Sequence, residues 1–139
     1  AGLLLNNPLD TFGTILNDRK CLILNEKYQF SPGFSGKTGD FHEGDDFIVS
    51  FDVCQPDTTD RSAASVVFQM ESAGEVYVYR FRELKNELLA AHGNWRSIRI
   101  LEKMPAAKSP TDKISIYLMN PHQNSVFLDN LKIRRRGGQ

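Results

Sequence analysis

The feature that most constrains this 139-residue chain is the alternation of apolar and polar residues in several short segments. In KISIYLM, residues 113–119, Ile114, Ile116 and Leu118 occupy every second position. FIVSFDV, residues 47–53, repeats the pattern with aromatic and β-branched residues. A strand with one side against a core and the other toward solvent has this period of two, whereas an amphipathic helix repeats every 3.6 residues. The chain is therefore predicted to form half-buried β-strands.

Turn-forming residues separate the strand segments at nearly regular spacing, and no long amphipathic helix interrupts them. Ser72 to Gly74 forms a tight turn between two strands, which predicts a β-hairpin. This pattern is typical of an all-β fold, a two-sheet antiparallel β-sandwich. The predicted strands are residues 21–30, 47–53, 64–72, 75–84, 95–101, 113–119 and 126–133.

The length fits a single β-sandwich domain over residues 1–139. Residues 1–20 are weakly patterned, and residues 31–46, dense in Gly, Ser and Asp, are predicted to form a long loop that Phe34 and Phe41 attach to the body. Arg134 to Arg136 precede Gly-Gly-Gln, so residues 134–139 are predicted to be a flexible, solvated tail. Because the chain opens on Ala-Gly, we expect a mature chain or a domain excised from a larger protein.

Charge and motif content exclude several functional classes. Seventeen basic and 17 acidic residues give a formal net charge of zero, which argues against nucleic-acid binding. No apolar run reaches membrane-spanning length, so we expect no membrane insertion. GxSxG, HExxH and P-loop motifs are absent, so the chain is not predicted to be an enzyme. Cys21 and Cys54 lack CxxC spacing, and both a disulfide and two buried thiols remain open.

A family resemblance lies mainly in the last third of the chain. Trp95 opens a strand, a Pro-containing loop follows, and the chain then runs through I-x-I-Y-L-x-N-P and F-L-D-N-L-x-I. Residues 27–53 fit the same pattern with a strand, an acidic-Gly turn and I-x-V-S-F-x-V. These motifs resemble galactose-binding-like jelly-roll domains and are similar to carbohydrate-binding modules of families 4, 9 and 22. The resemblance implies a glycan ligand on the concave sheet face and an extracellular, cell-surface or periplasmic location.

The same resemblance implies a structural calcium ion. Asp129 matches an aspartate in the last strand of such modules, where it serves as a calcium ligand or as a buried hydrogen-bond acceptor. Calcium requires several oxygen ligands, and Asp10 is the candidate partner. The alternative is that Asp129 accepts backbone N–H bonds near a turn.

Alternation also predicts which side chains face away from the core. In EVYVYRFREL the choice is decided by charge, because the opposite orientation would bury Arg80 and Arg82 at high cost. Tyr77, Tyr79 and Phe81 are therefore predicted to point inward, unless a β-bulge reverses the alternation. If the strands are neighbours, the open face carries Arg80, Arg82, Arg99, Gln69, Asp52 and Tyr117.

This set of residues is suited to a sugar, because aromatic rings and planar polar groups hold sugars by stacking and paired hydrogen bonds. Arg80, Arg99, Gln69 and Tyr117 are the leading candidates, followed by Arg82 and Asp52. Trp95 is either a stacking platform or a cover for the end of the core with its N–H bonded to a loop.

Two functions follow from these candidates. The first is a non-catalytic carbohydrate-binding module that takes a polysaccharide or glycan and is attached to other domains of a parent protein. The second is an interaction or spacer domain of the same fold with no sugar ligand, its open face being an ordinary solvated surface with Arg–carboxylate pairs.

Overall fold

The structure is a computed structural model that describes residues 2–6, 13–16, 19–56, 64–84, 94–121 and 124–137. These residues form ten strands and one short 3-10 turn, Thr38–Asp40. The strands are β1 (Leu3–Asn6), β2 (Gly13–Leu16), β3 (Arg19–Leu24), β4 (Phe34–Lys37), β5 (Asp46–Cys54), β6 (Ser65–Ser72), β7 (Glu75–Glu83), β8 (Arg96–Lys103), β9 (Lys113–Met119) and β10 (Val126–Arg136). Among the described residues there is no helix with the length and apolarity that crossing a bilayer requires.

The strands lie in two antiparallel sheets. The six-stranded sheet has the order β2-β3-β10-β5-β8, with β1 also paired to β10. The four-stranded sheet has the order β4-β9-β6-β7. The prediction of an all-β, two-sheet antiparallel sandwich is therefore confirmed.

The core lies between the sheets, where the alternating apolar residues meet. Phe47 and Val49 of β5 are fully buried, as are Ile114 and Ile116 of β9. Phe47 contacts Phe68 of the opposite sheet, with ring centroids 5.7 Å apart. Each such side chain contributes roughly 1.5–3 kcal/mol by leaving water, so the two-residue period is the main source of the fold's stability.

The loop predicted over residues 31–46 contains one more strand. β4 pairs with β9 from Phe34↔Ile116 to Lys37↔Lys113 and closes one edge of the four-stranded sheet. Phe41 is 9% exposed, and its ring lies 5.0 Å from that of Phe47, so the predicted attachment to the core is confirmed. The strand was not predicted because Gly36 lies within it and Gly33 directly before it, and glycine is depleted in strands.

The predicted tail over residues 134–139 is wrong for its first three residues. β10 runs to Arg136, which pairs with Asp46 of β5, and the Arg136 guanidinium lies 2.9 Å from the Asp46 carboxylate. Arg135 makes a similar pair with the buried Asp45 at 2.9 Å. The basic run is thus held by acids at the start of β5, while residues 138 and 139 lie outside the described residues.

Residues 1–20 contribute strands to the six-stranded sheet despite their weak pattern. β1 pairs with β10, and β2 pairs with β3. Cys21 and Cys54 are both buried and are not disulfide-bonded, which settles the alternative left open by the sequence in favour of two thiols. They lie on β3 and β5, which β10 separates.

Candidate functional site

The orientation predicted for β7 is confirmed for Tyr77, which packs against the core, but is wrong from Tyr79 onward. Cross-strand partners in an antiparallel pair share a face, and Phe68 and Val66 of β6, which belong to the core, are paired with Arg80 and Arg82. Gln69 on the opposite side of β6 is paired with Tyr79, and Val67 with Phe81. Tyr79 and Phe81 therefore point away from the core, and both arginines lie on its side of the sheet.

A β-bulge causes this reversal. The hairpin turns at Ala73 and Gly74, both with positive φ, and pairs Glu71 with Val76 but Met70 with Val78. Tyr77 is the additional residue, so it and Val78 both pack against the core. Without the bulge, Tyr79 would lie opposite Phe68 and point inward, as the sequence predicted.

Arg80 avoids burial because β7 is an edge strand. Its Nη1 donates to Glu102 Oε2 at 3.4 Å and to the carbonyl of Lys103 at 3.2 Å. The guanidinium lies 5.5 Å from the Phe68 ring, so the stem covers the margin of the core while the charge reaches water. The burial cost that decided the sequence argument is therefore not incurred at this edge.

The outward side of the four-stranded sheet carries a group of aromatic side chains that we call the aromatic face. Tyr79 is 49% exposed and Phe81 54%, while Phe30, which bridges to the end of β9, is 60% exposed. Tyr117 of β9 and Gln69 of β6 lie between these rings and are half-buried. Because exposed apolar groups clustered on one sheet can serve as interaction sites, the aromatic face is the candidate binding surface.

Two contacts order the polar groups of the aromatic face. The Tyr117 hydroxyl donates to Gln69 Oε1 at 3.0 Å, and the Tyr117 ring meets Phe30 edge-on with centroids 5.8 Å apart. Burial, with a smaller effect of Tyr79, raises the pKa of Tyr117, so its hydroxyl stays protonated at neutral pH. Because Gln69 Oε1 is engaged, the amide is oriented with its NH₂ group available to donate to a ligand.

A shallow depression of about 420 Å³ adjoins the aromatic face, and its lining includes Phe30, Gln69, Tyr117 and Gly33. A Cβ on Gly33 would overlap the carbonyl of Ile116 and the Cβ of Tyr117, so only glycine permits the close approach of this loop to β9. The depression is therefore a consequence of backbone packing at β9.

The structure does not bring the sequence-predicted residues together. Gln69 and Tyr117 lie on the aromatic face, whereas Asp52 and Arg99 point outward from the six-stranded sheet on the opposite side of the sandwich. Arg80 and Arg82 lie at the edge on the core side. The prediction assumed that these strands were neighbours, but β5 and β8 belong to one sheet and β6, β7 and β9 to the other.

Trp95 is half-buried at the start of β8. The Arg19 guanidinium lies 4.1 Å from its ring centre and covers one face of the indole. Its Nε1 is buried and has no hydrogen-bond partner in the described part of the chain, so the predicted bond from this N–H to a loop is not found there. A sugar could use only the other face of the ring.

Asp129 is 7% exposed and belongs to a charge cluster. Arg19 Nε donates to Asp129 Oδ2 at 2.6 Å, and Arg19 Nη2 donates to Asp52 Oδ2 at 2.6 Å. Asp129 Oδ1 accepts the backbone N–H of Asn130 at 2.8 Å, as the alternative to a metal ligand predicted. Asn130 itself has φ of 53° and sits at the irregularity in β10.

The surroundings of Asp129 fit a guanidinium rather than a calcium ion. Arg19 supplies the positive charge that its carboxylate faces, and no group of three or more His, Cys, Asp or Glu residues in the described ranges could hold a metal. Asp10, the predicted partner, lies outside the described residues. The binding of a structural calcium ion by this chain therefore stays a prediction.

Sequence reasoning missed three residues of the aromatic face, which are Phe30, Tyr79 and Phe81. Tyr79 and Phe81 could have been placed on the outward side by allowing a β-bulge in the hairpin, because the bulge pairs Tyr79 with the outward Gln69. Phe30 carries no comparable signal, because it follows β3 in an irregular segment.

No protein-family model and no curated protein matches the chain. Solved structures do. The CBM22-1–GH10 modules of endo-1,4-beta-D-xylanase 10B from Clostridium thermocellum, complexed with xylohexaose, align with 99% of this chain and 29% of theirs, at 15% identity and a TM-score of 0.52. The CBM22-1–CBM22-2 tandem domain of Paenibacillus barcinonensis Xyn10C aligns with 99% of this chain and 47% of its own, at 15% identity and a TM-score of 0.52.

A structure described as a CBM4 aligns over nearly its full length, with 96% of this chain and 99% of its own covered, 11% identity and a TM-score of 0.51. The chain spans less than half the length of the first two structures. At these identities the similarity concerns the fold. The chain has the β-sandwich fold of carbohydrate-binding modules and resembles a galactose-binding-like jelly roll, as the sequence motifs implied.

Proposed function

We propose that this chain is a non-catalytic carbohydrate-binding module and that a glycan lies across the aromatic face. The observation that carries the proposal is the exposure of Phe30, Tyr79 and Phe81 on one outward side of a single sheet. Exposed rings on a rigid sheet offer flat apolar surfaces at little cost in conformational entropy. The apolar faces of sugar rings stack on such surfaces.

The polar groups between the rings give the face a means of recognising hydroxyls. The Gln69 NH₂ group donates, and the Tyr117 hydroxyl oxygen can accept while its O–H donates to Gln69 Oε1. Lys113 is paired with Glu71 at 3.7 Å at one end of the sheet, so the face presents no strong field of one sign. This combination of few polar groups with aromatic rings favours a sugar chain over a charged small molecule.

The fold adds independent support at the level of architecture, since the chain shares it with carbohydrate-binding modules from xylan-related proteins. In the same proposal the chain is attached to other domains of a parent protein and acts outside the cytoplasm, at the cell surface or in the periplasm, where polysaccharides are found. It positions its parent on a polymer and performs no chemistry itself.

Affinity gel electrophoresis on a panel of soluble polysaccharides tests the proposal. The wild-type chain is expected to be retarded by at least one neutral glycan. The double variant Tyr79→Ala/Phe81→Ala should lose most of that retardation, because it removes two exposed rings while leaving the core intact.

Leu101→Ala is the matched control. Leu101 is 49% exposed on the other sheet, so the substitution removes exposed apolar area away from the aromatic face and should leave retardation unchanged. Melting curves of all variants show whether they are folded. If the folded wild-type chain is retarded by none of the glycans, the carbohydrate proposal fails and the same-fold interaction or spacer domain replaces it.

A further inference from the structure

The outward side of the six-stranded sheet, opposite to the aromatic face, is strongly basic although the whole chain has a formal net charge of zero. Alternation and register place six described cations there, against the three carboxylates of Asp46, Asp52 and Asp129. We call this surface the basic face. Its cations are Arg19, Arg99, Lys103, Lys132, Arg134 and Arg136.

Every carboxylate of the basic face already has a cation. Arg19 bridges Asp52 and Asp129, while Lys103 and Arg136 share Asp46 at 3.1 and 2.9 Å. The cations that have no carboxylate partner within the described ranges are Arg99, Lys132 and Arg134. The positive charge in excess is therefore concentrated in these three side chains.

The three cations form a compact group at the centre of the sheet. Lys132 and Arg99 are paired with Ser50 from its two neighbouring strands, which sets them about 10 Å apart across the sheet. Arg134 follows Lys132 by two residues, about 7 Å along β10. Beside Lys132 lies a depression of about 480 Å³ whose polar lining includes Ser97.

We propose that the basic face is a second binding site, which takes an acidic polysaccharide through its carboxylate or sulfate groups. Arg99, Lys132 and Arg134 bind anionic groups spaced along the polymer, and the hydroxyl of Ser50 and the side chain of Asn130 bond sugar hydroxyls in the depression. Asp52 repels the ligand less than a free carboxylate would, because the Asn130 amide and Arg19, which Asp52 shares with Asp129, both donate to it. The site does not depend on the aromatic face, and the chain can hold two polymers on opposite sides.

The spacing of the cations favours a polysaccharide over a nucleic acid. Duplex DNA carries about one charge per 1.7 Å, and proteins bind it by neutralising several closely spaced phosphates. Three uncompensated cations at separations of about 7–10 Å fit a polymer with sparser charges. The polar depression adds groups that suit sugar hydroxyls.

The test uses dextran sulfate, polygalacturonate and unmodified dextran in affinity gels at low salt. The wild-type chain should be retarded by at least one of the two polyanions and not by dextran, with retardation falling as salt increases. Retardation by dextran sulfate identifies sulfate as the group bound, and retardation by polygalacturonate identifies carboxylate. The triple variant Arg99→Gln/Lys132→Gln/Arg134→Gln should bind at least about tenfold more weakly, since each exposed ion pair is worth up to about fivefold.

The control variant Lys27→Gln/Lys37→Gln/Arg82→Gln removes the same charge from other surfaces and should retain the affinity. Equal weakening in both triple variants would overturn the proposal, because it would indicate a response to net charge alone. Absence of polyanion binding, or tighter binding of duplex DNA than of either polyanion, would also overturn it. The Tyr79→Ala/Phe81→Ala variant should still bind the polyanion. A failure of the basic-face proposal can therefore be distinguished from a failure of the proposal that the aromatic face binds a glycan.

Discussion

Replacing Arg19 by methionine should destabilise the fold more than a surface substitution normally does. The Arg19 guanidinium is held between the carboxylates of Asp52 and Asp129, at 2.6 Å from each, and lies 4.1 Å from the ring centre of Trp95. Methionine keeps much of the apolar stem but removes the charge and both donors. Two carboxylates then face each other without the cation that joined them.

The expected cost follows from the burial of the three side chains. Breaking a fully buried ion pair costs about 3–5 kcal/mol, because a charge is left uncompensated. The Arg19 side chain is 32% exposed and that of Asp52 20%, so solvent reduces this figure, while Asp129 at 10% keeps much of it. We therefore expect a loss of about 2–3 kcal/mol at pH 7, equivalent to about 7–10 °C in Tm for a chain of this size.

Denaturant unfolding followed by the fluorescence of the single tryptophan measures this loss directly. Burial raises the pKa of Asp52, but hydrogen bonds from Ser97, Asn130 and Arg19 outweigh it, so the pKa lies below its usual value. A carboxylate with a lowered pKa stabilises the fold above its unfolded pKa, near 3.9, and ceases to do so as the pH falls through the folded value. The difference between wild type and Arg19→Met should thus be full above about pH 5 and shrink below pH 4. Equal stability of the two proteins at pH 7 would refute the reasoning.

Three further results are expected. Asn120→Ala should cost about 2–3 kcal/mol in denaturant unfolding, because the buried amide donates to two backbone carbonyls, at 3.0 and 2.9 Å, that it would leave unpaired. Gly33→Ala should lower Tm and weaken retardation by a neutral glycan together, since a Cβ there meets the backbone of β9 beside Tyr117; an unchanged Tm would contradict this. Cys54, whose pKa burial raises, and the buried Cys21 should react with a thiol reagent only after unfolding, and fast reaction of the native protein would show that they are accessible.

Much of the fold could be predicted because alternation is local information. The side of the strand on which Val49, Ile98 and Ile116 lie depends on the backbone period alone, and each of them is buried as expected. The same period does not say which strands share a sheet. From β3 onward every connection except the β6–β7 hairpin crosses from one sheet to the other, so β5 and β6 are successive in sequence but lie on opposite sides of the core.

The prediction of the candidate site was wrong at two points. The first error arose because the period does not show which strands share a sheet, and the second because a bulge shifted the alternation in β7. Arg99 and Tyr117 were assigned to one face on the assumption that their strands are neighbours, yet the strands belong to different sheets and the two side chains lie on opposite sides of the sandwich. Tyr79 was assigned to the core because a buried arginine is costly, but one added residue at Tyr77 reversed the alternation and the edge position gave Arg80 access to water. A bulge changes the phase of a strand without changing its composition, so the sequence offers little warning of it.

The position of β10 has a consequence for how the protein becomes folded during synthesis. β10 lies between β3 and β5 and also pairs with β1, yet it follows all three in the sequence. Until it leaves the ribosome, β3 and β5 carry open edges, and the core lacks Val126, Leu128, Leu131 and Ile133. Strands so distant in sequence pair slowly, because the entropy cost of closing a long loop must be met before any stabilising contact forms. The nascent chain is thus exposed to aggregation until β10 is made, and a stalled or truncated product ending before residue 126 should be a substrate for chaperones.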